Sequence, residues 1–91
     1  MASMSQTAVN ARLKNLNGWK FVDKKIQKVF KHAGFTEAMG FVTSVALLAE
    51  RANHHPDIDI RWNMVTIALT THSDGGVTEK DFTLAREIEK L

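Results

Sequence analysis

Residues 36–72 read TEAMGFVTSVALLAERAN, then HHPDIDIRWN, then MVTIALTTH, and the change of hydrophobic period between the first part and the rest decides the fold. From Thr36, a candidate N-cap, Ala38, Phe41, Val42, Val45, Ala49 and Ala52 recur at helical spacing as far as Asn53. Met39, Ala46 and Leu47 stand on other sides of that helix, which is therefore apolar nearly all round and needs a second burial partner. We expect a homo-oligomer contact there, against the alternative that the sheet and the terminal helix wrap the same surface. Pro56 ends the helical pattern. Ile58, Ile60 and Trp62 then alternate with Asp59 and Arg61 as a half-buried strand does, and Asn63 marks a turn. In the strand that follows, Val65, Ile67, Leu69 and Thr71 make one face, while Thr66, Ala68, Thr70 and His72 make the other.

Working outward, Ser5–Leu13 reads as a short helix, stopped by Asn15, Asn17 and Gly18. Trp19–Val22 and Lys25–His32 are aromatic and β-branched runs on either side of Asp23 and Lys24, the pattern of a hairpin, which Gly34 closes. On the other side, Asp74, Gly75 and Gly76 make a loop. Thr78 and Asp81 have capping-box spacing, Val77 and Phe82 the spacing of a hydrophobic staple, and the helix they start runs to Lys90. Strands mixed with long helices, without repeats or linkers, predict an α+β fold: an antiparallel sheet with helices packed on one face.

Ninety-one residues bound the molecule to one domain, residues 1–91, since neither half could bury a core of its own. Met4 is an alternative natural start, and residues 1–4 are expected to be disordered or foreign to the domain. The absence of cysteine excludes disulfides, zinc–thiolate sites and thiol nucleophiles. A net charge of +2, with Lys14, Lys20, Lys28, Arg51 and Arg86 dispersed along the chain, leaves no footprint for nucleic acid. The apolar stretch from Phe41 to Ala49 is about half of what a bilayer requires, and there is no signal-peptide core, so a cytoplasmic location without membrane contact is expected.

Three of the four histidines fall between His54 and His72, and two are adjacent at a helix exit. Glu50 precedes His54 by one helical turn and would pair with it if the helix persisted that far. That carboxylate and the negative helix terminus both favour an imidazolium at His54, ready to donate a proton. The residue before a proline is pushed away from helical dihedrals, so His55 must turn out, and the two rings diverge. His72 can come near them if its strand folds back beside the helix. Each feature also has a purely structural reading: helix-end histidines cap carbonyls, Asp81 is accounted for by the capping box, and Trp62 by the core. His32, without an acidic partner in sequence, reads as structural or surface.

Taken together, Glu50, three residues, His54-His55-Pro56, five residues, Trp62, nine residues, His72, eight residues and Asp81 resemble the signature of the pterin-4a-carbinolamine dehydratases. Gly18-Trp19, Gly40-Phe41-Val42, Arg61-Trp62-Asn63 and Leu69-Thr70-Thr71-His72 resemble the same family, and the similarity covers residues 10 to 91. Trp62 stands where tyrosine is common, and Asp57-Ile58-Asp59-Ile60 looks like microbial members. The resemblance implies a four-stranded antiparallel sheet with two long helices and a short N-terminal helix on one face, assembled as a homodimer or homotetramer. It implies a hydro-lyase that converts 4a-hydroxytetrahydrobiopterin to quinonoid dihydrobiopterin and water, recycling tetrahydrobiopterin, with no metal and no organic cofactor. His54, His72 and His55 are then the expected catalytic residues, with Glu50, Pro56, Trp62 and Asp81 supporting or binding the pterin.

Loss of water from the 4a carbon needs one proton delivered to the departing hydroxyl and one removed from the neighbouring ring nitrogen, so an acid and a base must flank the ring. His54, biased by Glu50, is expected beside the hydroxyl, His72 as its counterpart, and His55 as the group that orients the ring. Two rival readings stand beside this. One is a metal site of three histidines and a carboxylate, opposed by the divergence of His54 and His55. The other is a non-catalytic interaction module, a dimerisation cofactor that uses the apolar helix flank.

Overall fold

The structure, a computed structural model, describes residues 3–91. Its first helix, α1 (Gln6–Leu13), is capped by Ser5, whose hydroxyl accepts from the Ala8 amide at 3.1 Å, and it buries Val9. Gly18, at φ +86°, then turns the chain under the Lys28 side chain, where a Cβ would lie 2.9 Å from Cε. Strands β1 (Lys20–Val22) and β2 (Lys25–Lys31) follow, joined by Asp23 and Lys24 at φ +52° and +63°. Two consecutive left-handed residues give a two-residue hairpin the twist that matches its strands.

Helix α2 (Phe35–Ala52) opens earlier than Thr36: its N-cap is Gly34, in extended backbone with no side-chain cap, because the Gly34 carbonyl already accepts from the Ala38 amide at 3.0 Å. Ala38, Val45 and Ala49 form its buried stripe. The helix ends at Asn53, which is left-handed at φ 50°, and the His54 amide reaches back to the Ala49 carbonyl at 3.1 Å. This is a Schellman-type stop, and it turns the chain out of the helix one residue before His54.

Strands β3 (Asp57–Arg61) and β4 (Met64–Leu69) complete an antiparallel sheet of order β1-β2-β4-β3. The register sets Ile26 opposite Leu69, Phe30 opposite Val65 and Ile58 opposite Ile67, so one face is apolar. Val65, Ile67 and Leu69 are wholly buried on it, as the alternation in sequence requires, and Thr71 continues that face at 3% exposure. The last helix, α3 (Glu79–Glu89), starts from a complete Thr78–Asp81 capping box and buries Phe82, Leu84, Ala85 and Ile88 in the same core. Fully burying a side chain of this size contributes about 1.5–3 kcal/mol, so the seam between sheet and helices is the main source of stability. The α+β architecture expected from the sequence is therefore present, with its helices on the apolar face of the sheet.

Two further expectations need correction. Met4 belongs to the fold: its amide donates to the Val77 carbonyl at 2.8 Å and its side chain packs on the core, while Met1 and Ala2 lie outside the described residues. Trp62 is neither in strand nor in core. It occupies the β3–β4 turn at φ +52° and is 69% exposed, because a tight two-residue turn needs left-handed backbone just where the alternation called for one more strand residue.

Candidate active site

The β3–β4 hairpin carries the chain away from Pro56 and returns it, since Asp57 pairs with Ala68 and Arg61 with Met64. The segment after β4 thus comes back to the sheet end at which α2 delivers its histidines. The N-terminus of α3 is held at the same end, because Thr71 bridges Gly76 just ahead of the capping box.

His54 does not pair with Glu50. Its Nε2 lies 2.5 Å from Oδ1 of Asp81, and the side chains are 12% and 0% exposed. Glu50 pairs instead with His55, Nε2 to Oε2 at 2.5 Å, on the surface at 59% and 75% exposure. The left-handed Asn53 explains the exchange. It breaks the i,i+4 geometry that would have set His54 over Glu50 and turns His54 toward α3, while His55, which the following proline keeps out of helical dihedrals, takes up Glu50. An ion pair as open as Glu50–His55 contributes only about 0–1 kcal/mol.

Asp81 is the centre of the arrangement. Its Oδ2 accepts from the Thr71 hydroxyl at 2.8 Å and from the Thr78 amide at 2.9 Å, and the Thr71 and Thr78 hydroxyls lie 2.7 Å apart. A buried carboxylate is tolerated only when hydrogen-bonded in this way. The capping reading of Asp81 is thus correct and incomplete: one oxygen closes α3 and the other holds an imidazole. With Asp81 as carboxylate, which can only accept, His54 must donate from Nε2, leaving Nδ1 as the nitrogen available to a ligand.

His54 lines a groove of about 410 Å³ between α2 and α3, whose apolar lining is Leu48, Ala52 and Leu84. Charged Arg51, Glu79, Lys80 and Glu87 make its rim. The Arg86 and Arg12 guanidiniums, bonded to Glu79, hold its carboxyl below the ordinary carboxylate range. His72 is not the end of a strand. It opens a single 3₁₀ turn, His72–Asp74, is exposed, and lines another cavity of about 190 Å³ with the β1–β2 turn residues Asp23 and Lys24 and with Lys25 at the start of β2. Strand pairing stops at Leu69, and Gly75 at φ +75° turns the loop back to the Thr71–Gly76 bridge. The chain therefore links the two histidines through Asp81 and Thr71, and each of them lines a cavity.

Trp62 is not brought to this group. It lies at the far end of β3 from Pro56, about 20 Å away at the rise of an extended strand. His32 is structural: its ring packs on Phe41 at 4.7 Å between centroids, its amide and carbonyl are both bonded to Asn63, and its Nε2 is buried without a partner among the described residues. Thr71 is the residue that the sequence reading passed over. Its place on the buried face was legible, and a buried hydroxyl must find an acceptor, which was the available signal. Among the described residues no three His, Asp or Glu side chains are grouped to hold a metal ion, and no helix is long and apolar enough to cross a membrane.

Comparison with known proteins gives this geometry its context. The family described as "Pterin 4 alpha carbinolamine dehydratase" matches residues 2–91. A protein of Roseiflexus sp. strain RS-1, provisionally named a pterin-4-alpha-carbinolamine dehydratase, is 49% identical over 88 residues, 97% of this chain and 95% of its own length. One of the same provisional name from Acidobacterium capsulatum is 50% identical over 91 residues, covering 100% of this chain and 99% of its own. The crystal structure of a transcriptional coactivator/pterin dehydratase from Brucella melitensis superimposes with a TM-score of 0.91 at 38% identity, covering 97% of this chain and 96% of that one. A family match over nearly the whole length, joined to relatives of this identity, means that the chain belongs to the pterin-4a-carbinolamine dehydratase family of enzymes.

Proposed function

We propose that this protein dehydrates 4a-hydroxytetrahydrobiopterin to quinonoid dihydrobiopterin by histidine acid–base catalysis, with His54 as the principal proton carrier. The observation that supports this most is the anchoring of His54 on the buried carboxylate of Asp81. An imidazolium at His54 delivers its Nδ1 proton to the departing 4a hydroxyl, which leaves as water. Asp81 stabilises the cation before transfer and keeps the proton on Nε2 afterwards, so the same nitrogen always faces the substrate. His72 takes the proton from the neighbouring ring nitrogen, and solvent exchange resets both rings. His55, steadied by Glu50, orients the pterin; Pro56 fixes that corner. This assignment requires the ring to reach from the His54 groove across Thr71 to His72.

Proton transfer by a placed side chain is typically worth about 10²- to 10⁴-fold. His54→Ala and His72→Ala should each fall within that range in turnover, followed by absorbance above the spontaneous rate. Unchanged turnover in both variants would remove the histidines from the mechanism.

The exposed flank of α2 supports the further proposal of a homodimer or homotetramer. Leu47, on the side of α2 that also carries Met39, is 67% exposed, and Phe35 at the start of the helix is 53% exposed. Leu47→Glu should shift the protein toward monomer in sedimentation velocity while leaving its dehydratase rate per chain unchanged. A non-catalytic interaction role on this flank is the alternative reading, and dehydration no faster than the spontaneous reaction would favour it.

A further inference from the structure

We infer that Thr71 is a positioning residue for this chemistry, acting on His54 through Asp81 by its hydroxyl and on His72 by its backbone. The inference rests on the proposed role of His54. Hydrogen-bond directions lead to it. Toward the carboxylate oxygen Oδ2 of Asp81 the Thr71 hydroxyl can only donate, at 2.8 Å, so its single proton is committed there. Toward Thr78, 2.7 Å away, it can then only accept, and the Thr78 hydroxyl must be the donor. Thr78 Oγ1 in turn accepts from the Lys80 amide at 3.3 Å, at the start of α3. A chain of single direction therefore runs from the Lys80 amide through Thr78 and Thr71 to Asp81. Together with the Thr78 amide it engages Oδ2 twice, leaving Oδ1 as the oxygen that receives His54.

The same residue anchors the turn that carries His72. The Thr71 amide donates to the Gly76 carbonyl at 2.9 Å, and its own carbonyl accepts from the Gly76 and Asp74 amides at 3.3 and 3.0 Å. These backbone bonds do not depend on the side chain. Thr71 lies at φ −106° and ψ 95°, extended backbone that valine adopts readily. Thr71→Val therefore removes the hydroxyl from the Asp81 side of the system while leaving the His72 turn pinned.

The full-length protein would be compared as wild type, Thr71→Val, Thr71→Ser and His54→Ala. The readouts are kcat and KM for pterin dehydration and the ¹⁵N NMR shifts of the two His54 ring nitrogens, which report the tautomer. Loss of a hydrogen bond to a charged group predicts a fall in kcat of about ten- to a hundredfold in Thr71→Val, with KM nearly unchanged. The His54 shifts should move toward a mixture of tautomers, and Thr71→Ser, which keeps the donor, should restore both. Thr71→Ala, which crowds nothing, replaces the valine variant should that chain fail to fold. Wild-type kcat and unaltered His54 shifts without the hydroxyl would overturn the inference, even where His54→Ala is slowed as expected. Altered shifts in Thr71→Val with turnover unaffected there and in His54→Ala would instead uphold the positioning and refute the catalytic assignment of His54.

Discussion

Asp81→Asn should reduce turnover by about 10³- to 10⁴-fold in a protein that still folds. The Thr71 hydroxyl and the Thr78 amide both need an acceptor, so the asparagine carbonyl takes the place of Oδ2 and the amide nitrogen faces His54. Where Asp81 accepted a proton from Nε2 the amide now offers one, and the imidazole must carry its own proton on Nδ1. The nitrogen presented to the substrate is then in the wrong state, and the negative charge that stabilised the imidazolium is gone. In a serine protease the equivalent exchange leaves geometry intact and costs about four orders of magnitude, which sets the scale expected here. Because each donor keeps an acceptor, the stability loss should be only about 1 kcal/mol. Asp81→Ala separates the two effects, since it leaves His54, Thr71 and the Thr78 amide without their shared partner at a cost of about 3 kcal/mol. Single-turnover absorbance and urea unfolding measure the two quantities, and a folded asparagine variant with wild-type turnover would exclude Asp81 and His54 from proton transfer.

The largest effect on stability is expected from Phe82→Ala, next to Asp81 on α3. Phe82 is 1% exposed and among the largest fully buried side chains, in a core shared by α1, the sheet, α2 and α3. Its ring also carries the Arg12 guanidinium 4.7 Å from the centroid, so the short first helix is tied to α3 by the same residue. Truncating a buried phenylalanine typically costs about 3–5 kcal/mol. An exposed cation–π contact adds about 0.5–1 kcal/mol. Domains of this size have about 5–15 kcal/mol in all, and each kcal/mol moves the midpoint by roughly 4–8 °C. A drop of roughly 15 °C or more in Tm is therefore expected by calorimetry, and a loss of only a few degrees would mean that the site collapses around the missing ring.

Much of this fold was legible in one dimension because the signals are local. Val65, Ile67, Leu69 and Thr71 alternate, and all four are buried on one face. Thr78 and Asp81 stand three apart before an apolar stretch, and the capping box is there. The misreadings also have local causes. Trp62 continued the alternation of Ile58 and Ile60, but a two-residue turn has first claim on the backbone at that point. Thr36 had the chemistry of an N-cap, yet the first helical hydrogen bond closes on Gly34.

The set of candidate groups was likewise present in the residues themselves: His54, His55, His72 and Glu50 stand out by type and spacing, and Asp81 by its place in the signature that the chain resembles. Their pairing was not. Sequence proximity favoured Glu50 for His54, whereas the folded chain assigns Glu50 to His55 and gives His54 the aspartate twenty-seven positions away. That choice depends on the left-handed Asn53 and on the docking of the α3 N-terminus against the end of the sheet. Periodicity and turn chemistry act over a few bonds, so the primary structure determined the elements, their buried faces and the stock of reactive side chains. Hydrogen bonds between distant segments form only once packing has brought those segments together, so the tertiary structure alone decided which carboxylate holds which imidazole.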